Sequence, residues 1–199
     1  QPTAYPTAAS APRLTASATL APTVSASRTV PAETQPTEAA GLTPTPEPAV
    51  VPDMAIVRGE NVEAMVTQAI DALGGIQRFV QPGYDVIVKP NICNANHGPE
   101  YASTTHPLVV AALVRLCLEA GASQVRVMDN PFAGTAEQAY VTSQIGAAVE
   151  AAGGAMEIMA PHRFVEAEIP EGRDIRQWRF YKPILDADLV INVPIAKHH

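Results

Sequence analysis

Lysine is scarce in this sequence, and acidic residues outnumber basic ones. Three of the 199 residues are lysines, Lys89, Lys182 and Lys197, and the formal net charge is −7. Sequence-independent binding to nucleic acid needs a basic face, and binding to an anionic membrane surface needs clustered basic side chains. The composition therefore argues against both kinds of partner.

Long apolar runs and paired cysteines are also lacking. No stretch approaches the roughly 20 apolar residues of a membrane-spanning helix. The two cysteines, Cys93 and Cys117, are too few for a disulfide framework. Cys117 falls in a strongly apolar predicted helix, where we expect a buried small side chain. No C-x-x-C motif occurs, so the chain shows no iron-sulfur ligand set.

Three common nucleotide-binding and nucleophile motifs are missing as well. The chain has no G-x-G-x-x-G after a predicted strand, no Walker lysine motif and no G-x-S-x-G elbow. The sequence therefore gives no support for a standard dinucleotide-binding protein, a P-loop protein or a hydrolase with a serine elbow. It leaves the cofactor unknown.

Residues 1–52 are built almost entirely from Ala, Thr, Pro and Ser, and they hold ten of the nineteen prolines. Such a segment has too little apolar surface to offset the entropy of ordering it, which predicts a disordered tether with polyproline II character. A stalk of this composition is typical of exported proteins, so we expect an extracytoplasmic location, tethered or secreted. An ordinary cytoplasmic linker is the alternative.

Residues 53–199 alternate strand and helix patterns. MAIVRG, from Met54 to Gly59, predicts a short strand, and the apolar spacing after it predicts a helix up to Gly74. YDVIVKP has the continuous β-branched run of a strand buried on both faces. The next predicted helix is capped by Thr104 or Thr105, with Pro107 in its first turn.

The second half of the domain continues the alternation. QVRVMD, from Gln124 to Asp129, predicts a strand, and residues 135–152 predict one helix. AMEIMA predicts another strand, FVEAEI and DIRQWRFY predict a hairpin or insertion, and Leu189 to Pro194 predicts a buried strand. This order predicts an α/β fold, a mostly parallel sheet with helices on both faces in a Rossmann-like three-layer arrangement.

In such sheets ligands bind beyond the carboxyl ends of the strands. Lys89 ends a predicted strand, where its ammonium can attract a phosphate or carboxylate; the alternative is a lysine that reaches solvent or pairs with a nearby acid. Asn91 follows it with both donor and acceptor groups, whereas Asn94 and Asn96 are better explained as turn residues. Thr105 begins a helix whose N-terminus favours an anion.

The other strand ends supply further candidates. Asp129 can act as a general base, a metal ligand or a counter-ion to a lysine, or can cap a turn. Lys197, His198 and His199 follow the last predicted strand. Cys93 and His97 are spaced as in some metal sites, but a full set of metal ligands is missing. A nucleophilic Cys93 activated by a histidine is the alternative, and the evidence for it, one cysteine and several histidines in a loop, is equally weak.

Three segments in order, VIVKPNICNAN, STTHPLVVAALVRLCLEAGASQVRVMDNP and ADLVINVPIAKHH, resemble the family known as domain of unknown function 362. The resemblance covers nearly all of residues 53–199, and the motif positions that carry over are Lys89, Asn91, Thr105, Asp129, Asn192, Lys197 and His198. Members are mostly uncharacterised, some are exported, and many carry or neighbour a ferredoxin-like iron-sulfur module. Family sequences usually continue further, so the resemblance implies a C-terminally incomplete domain.

Two functions follow as hypotheses. In the first, the chain is an enzyme for a small anionic substrate, carboxylated or phosphorylated, held by Lys89, Asn91, Thr105, Asn192 and Lys197, with His198, His199 or Asp129 as general acid or base. In the second, suggested by the resemblance, it is a binding module for a ferredoxin-like protein or domain and has no chemistry of its own. A third hypothesis, supported by the stalk-like composition of residues 1–52, is a surface-tethered domain with a structural role.

Overall fold

A computed structural model of the protein describes residues 51–197. The predicted tether therefore lies outside the described residues except for Val51 and Pro52, and His198 and His199 lie outside them as well. Within residues 51–197, no helix has the length and apolarity needed to cross a bilayer.

Helices and strands alternate along this part of the chain, as the sequence pattern predicts. In chain order they are α1 Val62–Ala72, β1 Asp85–Pro90, α2 Pro107–Glu119, β2 Gln124–Val127, α3 Ala136–Thr142, α4 Ile145–Ala151, β3 Ala155–Met156, β4 Phe164–Glu168, β5 Gln177–Tyr181, α5 Lys182–Asp186 and β6 Leu189–Val193. Short 3-10 turns follow α1 and precede α2 and β4.

Strands β3, β2, β1 and β6 lie side by side in that order and are all parallel. The register places Val86 of β1 opposite Val125 of β2 and Leu189 of β6. Strands β4 and β5 form a separate antiparallel hairpin. The predicted α/β fold with a parallel sheet is confirmed, and so is the predicted hairpin.

The strand order reverses at β1. After β1 the chain adds β2 and then β3 on one side, and it later returns to place β6 on the other side of β1. In open parallel sheets the connections diverge at such a reversal, and the crevice that they leave at the carboxyl ends of the strands is where ligands bind. The carboxyl ends of β1 and β6 therefore flank the topological switch point.

Helix α2 anchors the layer on one face of the sheet and packs against α1, α4 and the strands. Val110, Val114 and Cys117 are fully buried there against Val86 and Val88 of β1. Burial raises the pKa of the Cys117 thiol to about 11, so this side chain stays neutral and packs as an apolar group, as predicted.

The start of α2 differs from the sequence prediction. His106 is the N-cap, and its Nδ1 accepts a hydrogen bond from the Leu108 N–H at 3.2 Å. The prediction that Thr104 or Thr105 caps this helix is wrong, because both threonines are buried before the helix begins. Pro107 occupies the first turn as predicted, where its missing N–H costs nothing.

The opposite face of the sheet has a smaller core. Ile87, Met128 and Tyr181 are buried together, and Phe164 of the hairpin and Ile184 of α5 pack against them. Within the described residues, the short helix α5 and the β4–β5 hairpin are the elements that pack against this core.

Three further local predictions are wrong. Leu189 to Pro194 is not a buried strand, because β6 lies at the edge of the sheet that the structure describes and its alternate residues are exposed, Val190 to 38%. MAIVRG is not a strand, because Met54 to Gly59 pair with no other strand of the described residues. The helix predicted over residues 135–152 is two helices, since Gln144 adopts a left-handed φ of 62°. The Ser143 hydroxyl accepts a hydrogen bond from the Ile145 N–H and so stabilises the break.

A network of charged side chains ties β1 and β2 to the residues around the hairpin. Arg126 donates to Asp85 at 2.6 Å and to Glu157 at 2.7 Å, and Glu157 also accepts from Arg163 and from the Tyr181 hydroxyl. Burial alone would raise the pKa of Glu157, but the hydrogen bonds from Tyr181 and Arg126 and the charges of Arg126 and Arg163 outweigh it and lower the pKa below its ordinary value.

Because of Glu157, we expect the free energy of unfolding to fall in acid. Its folded pKa lies below the unfolded value of about 4.3, so its stabilising contribution is fully present above that pH and is lost as the pH falls through the folded pKa. Urea denaturation of wild type and Glu157→Gln at neutral pH and between about pH 5 and 3 checks this. The stability difference between the two should shrink in acid; a difference that stays constant would contradict it.

Candidate functional site

A cavity of about 680 Å³ opens at the switch point. Its wall combines the segments that follow β1, β2 and β6 with the segment that precedes α2. The lining residues are Cys93, Asn94, Ala102, Ser103, Phe132, Ala196 and Lys197. This volume falls within the range of about 300–1,000 Å³ that is typical of small-molecule sites.

Lys197 supplies the cationic group of this cavity. Its side chain is exposed, and within the described part of the chain no carboxylate lies at salt-bridge distance from its ammonium. The positive charge at the mouth of the cavity is therefore not neutralised by these residues. Lys197 is where the sequence analysis placed it, just past the last strand.

The loop after β1 is shaped by Asn94. The Oδ1 atom of Asn94 accepts hydrogen bonds from the Asn96 N–H at 2.8 Å and from the His97 N–H at 3.1 Å. Asn94 is buried, so these bonds satisfy a carbonyl oxygen that has little access to water. The prediction that Asn94 is a turn residue is confirmed.

The loops after β1 and β2 continue side by side beyond the strands. The Phe132 N–H donates to the Cys93 carbonyl and the Ala95 N–H donates to the Ala133 carbonyl, both at 3.0 Å. Gly134 makes this approach possible, because its φ is +81° and a Cβ there would collide with the Cβ of Ala95. The cavity wall formed by Cys93 and Phe132 is thus held by backbone hydrogen bonds.

Lys89 and Asp129 pair with each other beside the cavity. The Lys89 ammonium lies 2.8 Å from Oδ1 of Asp129, and Oδ2 accepts the Ile92 N–H at 2.6 Å. The Asp129 side chain is 11% exposed and that of Lys89 is 35% exposed. Of the roles considered for Asp129, the counter-ion to a lysine is the one that the structure realises, and the charge of Lys89 is balanced within the protein.

Asn91 and Thr105 join the ends of β1 and β6. The Thr105 hydroxyl accepts from the Asn91 N–H at 2.9 Å and donates to the Val193 carbonyl at 2.7 Å. The Asn91 side-chain oxygen accepts from the Ile195 N–H at 3.0 Å, and the Thr105 N–H donates to the Asn91 carbonyl at 2.9 Å. We refer to Asn91, Thr105, Val193 and Ile195 as the strand clasp, which holds the floor of the switch point.

The N-terminus of α2 has few donors left for an anion. Pro107 has no N–H, the Leu108 N–H is taken by His106 Nδ1, and the Val109 N–H donates to the His106 carbonyl at 3.0 Å. The positive end of the helix dipole still points towards this edge of the sheet. However, none of these three residues in the first turn of α2 has a free N–H to donate to a ligand.

The remaining predicted residues fall in different places. Asn192 lies opposite Lys89 in the register and lines a separate apolar groove between β6 and α1, not the cavity at the switch point. His97 is exposed and its ring stacks on Tyr101 with centroids 4.3 Å apart. Over residues 51–197, no three His, Cys, Asp or Glu side chains are grouped as metal ligands.

Two residues of the cavity were missed by sequence reasoning. Phe132 is 81% exposed and forms an apolar wall, and Ser103 has a buried hydroxyl without a hydrogen-bond partner among residues 51–197. An aromatic residue directly after a strand-ending Asp-Asn-Pro was the available signal for Phe132. Ser103 offered none, because serine before a helix is ordinarily explained as a capping residue.

Comparisons with known proteins give a family and one curated relative. The model of a family described as domain of unknown function (DUF362) matches residues 86–199. A "thylakoid-associated protein" of Synechocystis sp. is 29% identical over 161 residues, which cover 75% of this chain and 46% of the relative. The chain thus spans about half the length of that relative. No solved structure matches the chain at a significant level.

Proposed function

The chain belongs to the DUF362 family, whose description assigns no activity, and from the geometry of its site we propose that it binds a small carboxylated or phosphorylated anion in the cavity at the topological switch point. The observation that carries the proposal is the position of Lys197. Lys197 lines the cavity, and none of the described carboxylates forms a salt bridge with it. A compact ammonium with three donors is well suited to carboxylate or phosphate oxygens.

The other walls fit the same class of ligand. Ser103 brings a hydroxyl that lacks a partner among the described residues, and Phe132 supplies an apolar surface for the carbon skeleton of the ligand. Cys93 lines the same space, partly exposed, as a small polarisable side chain. A mostly apolar wall with a few polar groups that fix orientation is the usual composition of small-molecule sites.

Lys89, Asn91 and Thr105 act indirectly in this proposal. The charge of Lys89 is balanced by Asp129, and the strand clasp uses the polar groups of Asn91 and Thr105. These residues keep the ends of β1 and β6 in place, so that Lys197 stands over the cavity. Any proton transfer to the ligand falls to His198 or His199, which follow Lys197 in the sequence, because imidazole is the side chain most often used as a general acid or base.

Replacing Lys197 should weaken anion binding. Isothermal titration with inorganic phosphate and with succinate as probes is expected to give a dissociation constant about tenfold or more higher in Lys197→Ala, since hydrogen bonds to charged groups contribute roughly 1.5–3 kcal/mol. Lys182→Ala is the matched control, because Lys182 pairs with Asp186 on the surface of α5 and should leave binding unchanged.

Equal affinities of wild type and Lys197→Ala would remove the proposed ligand contact. A loss of the same size in Lys182→Ala would show that the effect follows net charge and not the cavity. Thermal unfolding of each variant, recorded beside the titrations, separates a binding defect from a folding defect.

A membrane or protein partner is the second candidate function. The cyanobacterial relative is described as thylakoid-associated, which favours association with a membrane-bound assembly. The ferredoxin-like partner and the extracytoplasmic location expected from the sequence belong to this candidate. Fractionation of cells that express the chain, followed by pull-down with a ferredoxin, tests it; a purely cytoplasmic pool that retains no ferredoxin would count against it.

A further inference from the structure

The cavity at the switch point offers a ligand a single positive charge. Lys197 is the one cationic side chain among the described residues that line it, and none of these lining residues is acidic. The neighbouring cation, Lys89, is balanced by Asp129 at 2.8 Å and does not line the cavity. The charge that residues 51–197 present to a ligand is therefore one ammonium.

Backbone donors that could assist Lys197 are already occupied. Phosphate sites ordinarily combine cationic side chains with several free backbone N–H groups, often at the N-terminus of a helix. The first three residues of α2, Pro107 to Val109, have no free N–H. At the end of β1, the Asn91 N–H donates to the Thr105 hydroxyl. The helix start and the strand end nearest the cavity therefore add no donor for a second negative charge at these positions.

The charge of the ligand decides how well one ammonium can balance it. A carboxylate carries one negative charge, whereas a phosphate monoester carries about −1.5 to −2 at pH 7 and a dicarboxylate carries two. A charge that stays unbalanced at a partly enclosed site loses water without gaining a partner, which is unfavourable. Lys197 therefore favours a ligand with a single carboxylate.

Most of the remaining wall is apolar. Ala102, Ala196 and Phe132 line the cavity together with Cys93. Phe132 is 81% exposed, so its ring leaves water only when a ligand covers it. The volume of about 680 Å³ leaves room for a carbon skeleton beside the carboxylate. An apolar skeleton is stabilised by this wall, whereas a second charged group is not.

From these observations we propose that the ligand of the switch-point cavity is a monocarboxylate with an apolar skeleton, aliphatic or aromatic. The inference rests on the anion site proposed above and narrows its class, because dicarboxylates and phosphate esters then bind more weakly. The Lys197 ammonium pairs with the carboxylate, and the skeleton lies against Phe132, Ala102 and Ala196.

A series of small anions tests the class. The full 199-residue chain is titrated calorimetrically, at pH 7 and constant ionic strength, with acetate, hexanoate, phenylacetate, adipate and butyl phosphate. Each buried methylene adds roughly fourfold in affinity, so hexanoate should bind at least about tenfold more tightly than acetate. Adipate matches hexanoate in length but ends in a second carboxylate, so it should bind at least about threefold more weakly than hexanoate, and so should butyl phosphate. Phenylacetate beside hexanoate shows which kind of skeleton the wall prefers.

Variants of the wall separate the two parts of the ligand. Phe132→Ala should raise the dissociation constant of hexanoate by about tenfold, since it removes apolar surface, and should leave that of acetate unchanged. Phe132→Leu keeps an apolar side chain and should restore most of the affinity. Lys197→Ala should weaken both ligands. Trp178→Ala is the matched control and should change neither, because Trp178 is an exposed aromatic residue of the hairpin that does not line this cavity.

Two results would overturn the monocarboxylate assignment. One is adipate or butyl phosphate that binds as tightly as hexanoate, and the other is a hexanoate affinity that Phe132→Ala leaves unchanged. Either result leaves the anion site standing as long as binding of phosphate or succinate is lost in Lys197→Ala. If no anion, hexanoate included, binds in a way that depends on Lys197, the anion site itself fails and this inference fails with it.

Discussion

Replacing Thr105 with valine is expected to lower the free energy of unfolding by about 2–4 kcal/mol, because each buried polar group left without a partner costs roughly 1–3 kcal/mol. Valine keeps the shape of threonine but removes the hydroxyl that bridges the Asn91 N–H and the Val193 carbonyl. Both backbone groups would then be orphaned at the junction of β1 and β6. Urea denaturation measures the loss.

Two controls make the Thr105 result specific. Thr105→Ser keeps the hydroxyl and should recover most of the stability. Thr67→Val removes an exposed hydroxyl that bonds only to the Glu63 carbonyl of its own helix, and should change stability by no more than about 0.5 kcal/mol. A Thr105→Val protein as stable as Thr67→Val would show that the clasp is not needed to join the two strands.

Lys89→Met should also destabilise the fold, by about 1–3 kcal/mol. The substitution leaves the Asp129 carboxylate, 11% exposed, with the Ile92 N–H as its remaining partner in the described structure. Breaking a fully buried pair costs roughly 3–5 kcal/mol, and we discount this figure because the Lys89 side chain is 35% exposed and partly screened by solvent.

A double-mutant cycle isolates the charge. Asp129→Asn in the Lys89→Met background removes the unpaired carboxylate while its side-chain oxygen can still accept from Ile92, so the double variant should be more stable than Lys89→Met alone. Lys182→Met breaks an exposed pair with Asp186 and should cost at most about 0.5 kcal/mol. A double variant that is less stable than Lys89→Met would mean that Lys89 matters for packing and not for its charge.

The parallel sheet could be predicted because its signals are local. The β-branched run at residues 86–88 and the apolar face of α2 each identify an element from a few adjacent residues. The break between α3 and α4 could not be predicted, because no glycine or proline marks Gln144 and its left-handed φ is stabilised by a hydrogen bond from Ile145 to Ser143. MAIVRG shows the converse, an apolar pattern that pairs with no strand in the part of the chain that the structure describes.

The position of the candidate site could be predicted from the sequence, but the role of each of its residues could not. The strand ends identified Lys89, Asn91, Asp129 and Lys197, since parallel strands bring their carboxyl ends together. These residues divide into a clasp, an ion pair and a lysine, Lys197, that has no salt bridge to residues 51–197, and this division depends on contacts across 40, 88 and 104 residues of sequence. Such contacts leave no local pattern in the sequence, so both Lys89 and Lys197 were expected to bind the anion. In the structure Lys89 pairs with Asp129, whereas Lys197 lines the cavity.

The most direct test of the proposed anion site is an NMR titration of the 199-residue chain with phosphate and with succinate, in which the backbone amide chemical shift of each residue is measured. The largest shifts should fall on Cys93, Ser103, Phe132 and Lys197, which line the cavity at the switch point, and they should be lost in Lys197→Ala. Shifts that scatter over the surface, or that persist unchanged in Lys197→Ala, would contradict an anion-binding cavity between β1 and β6.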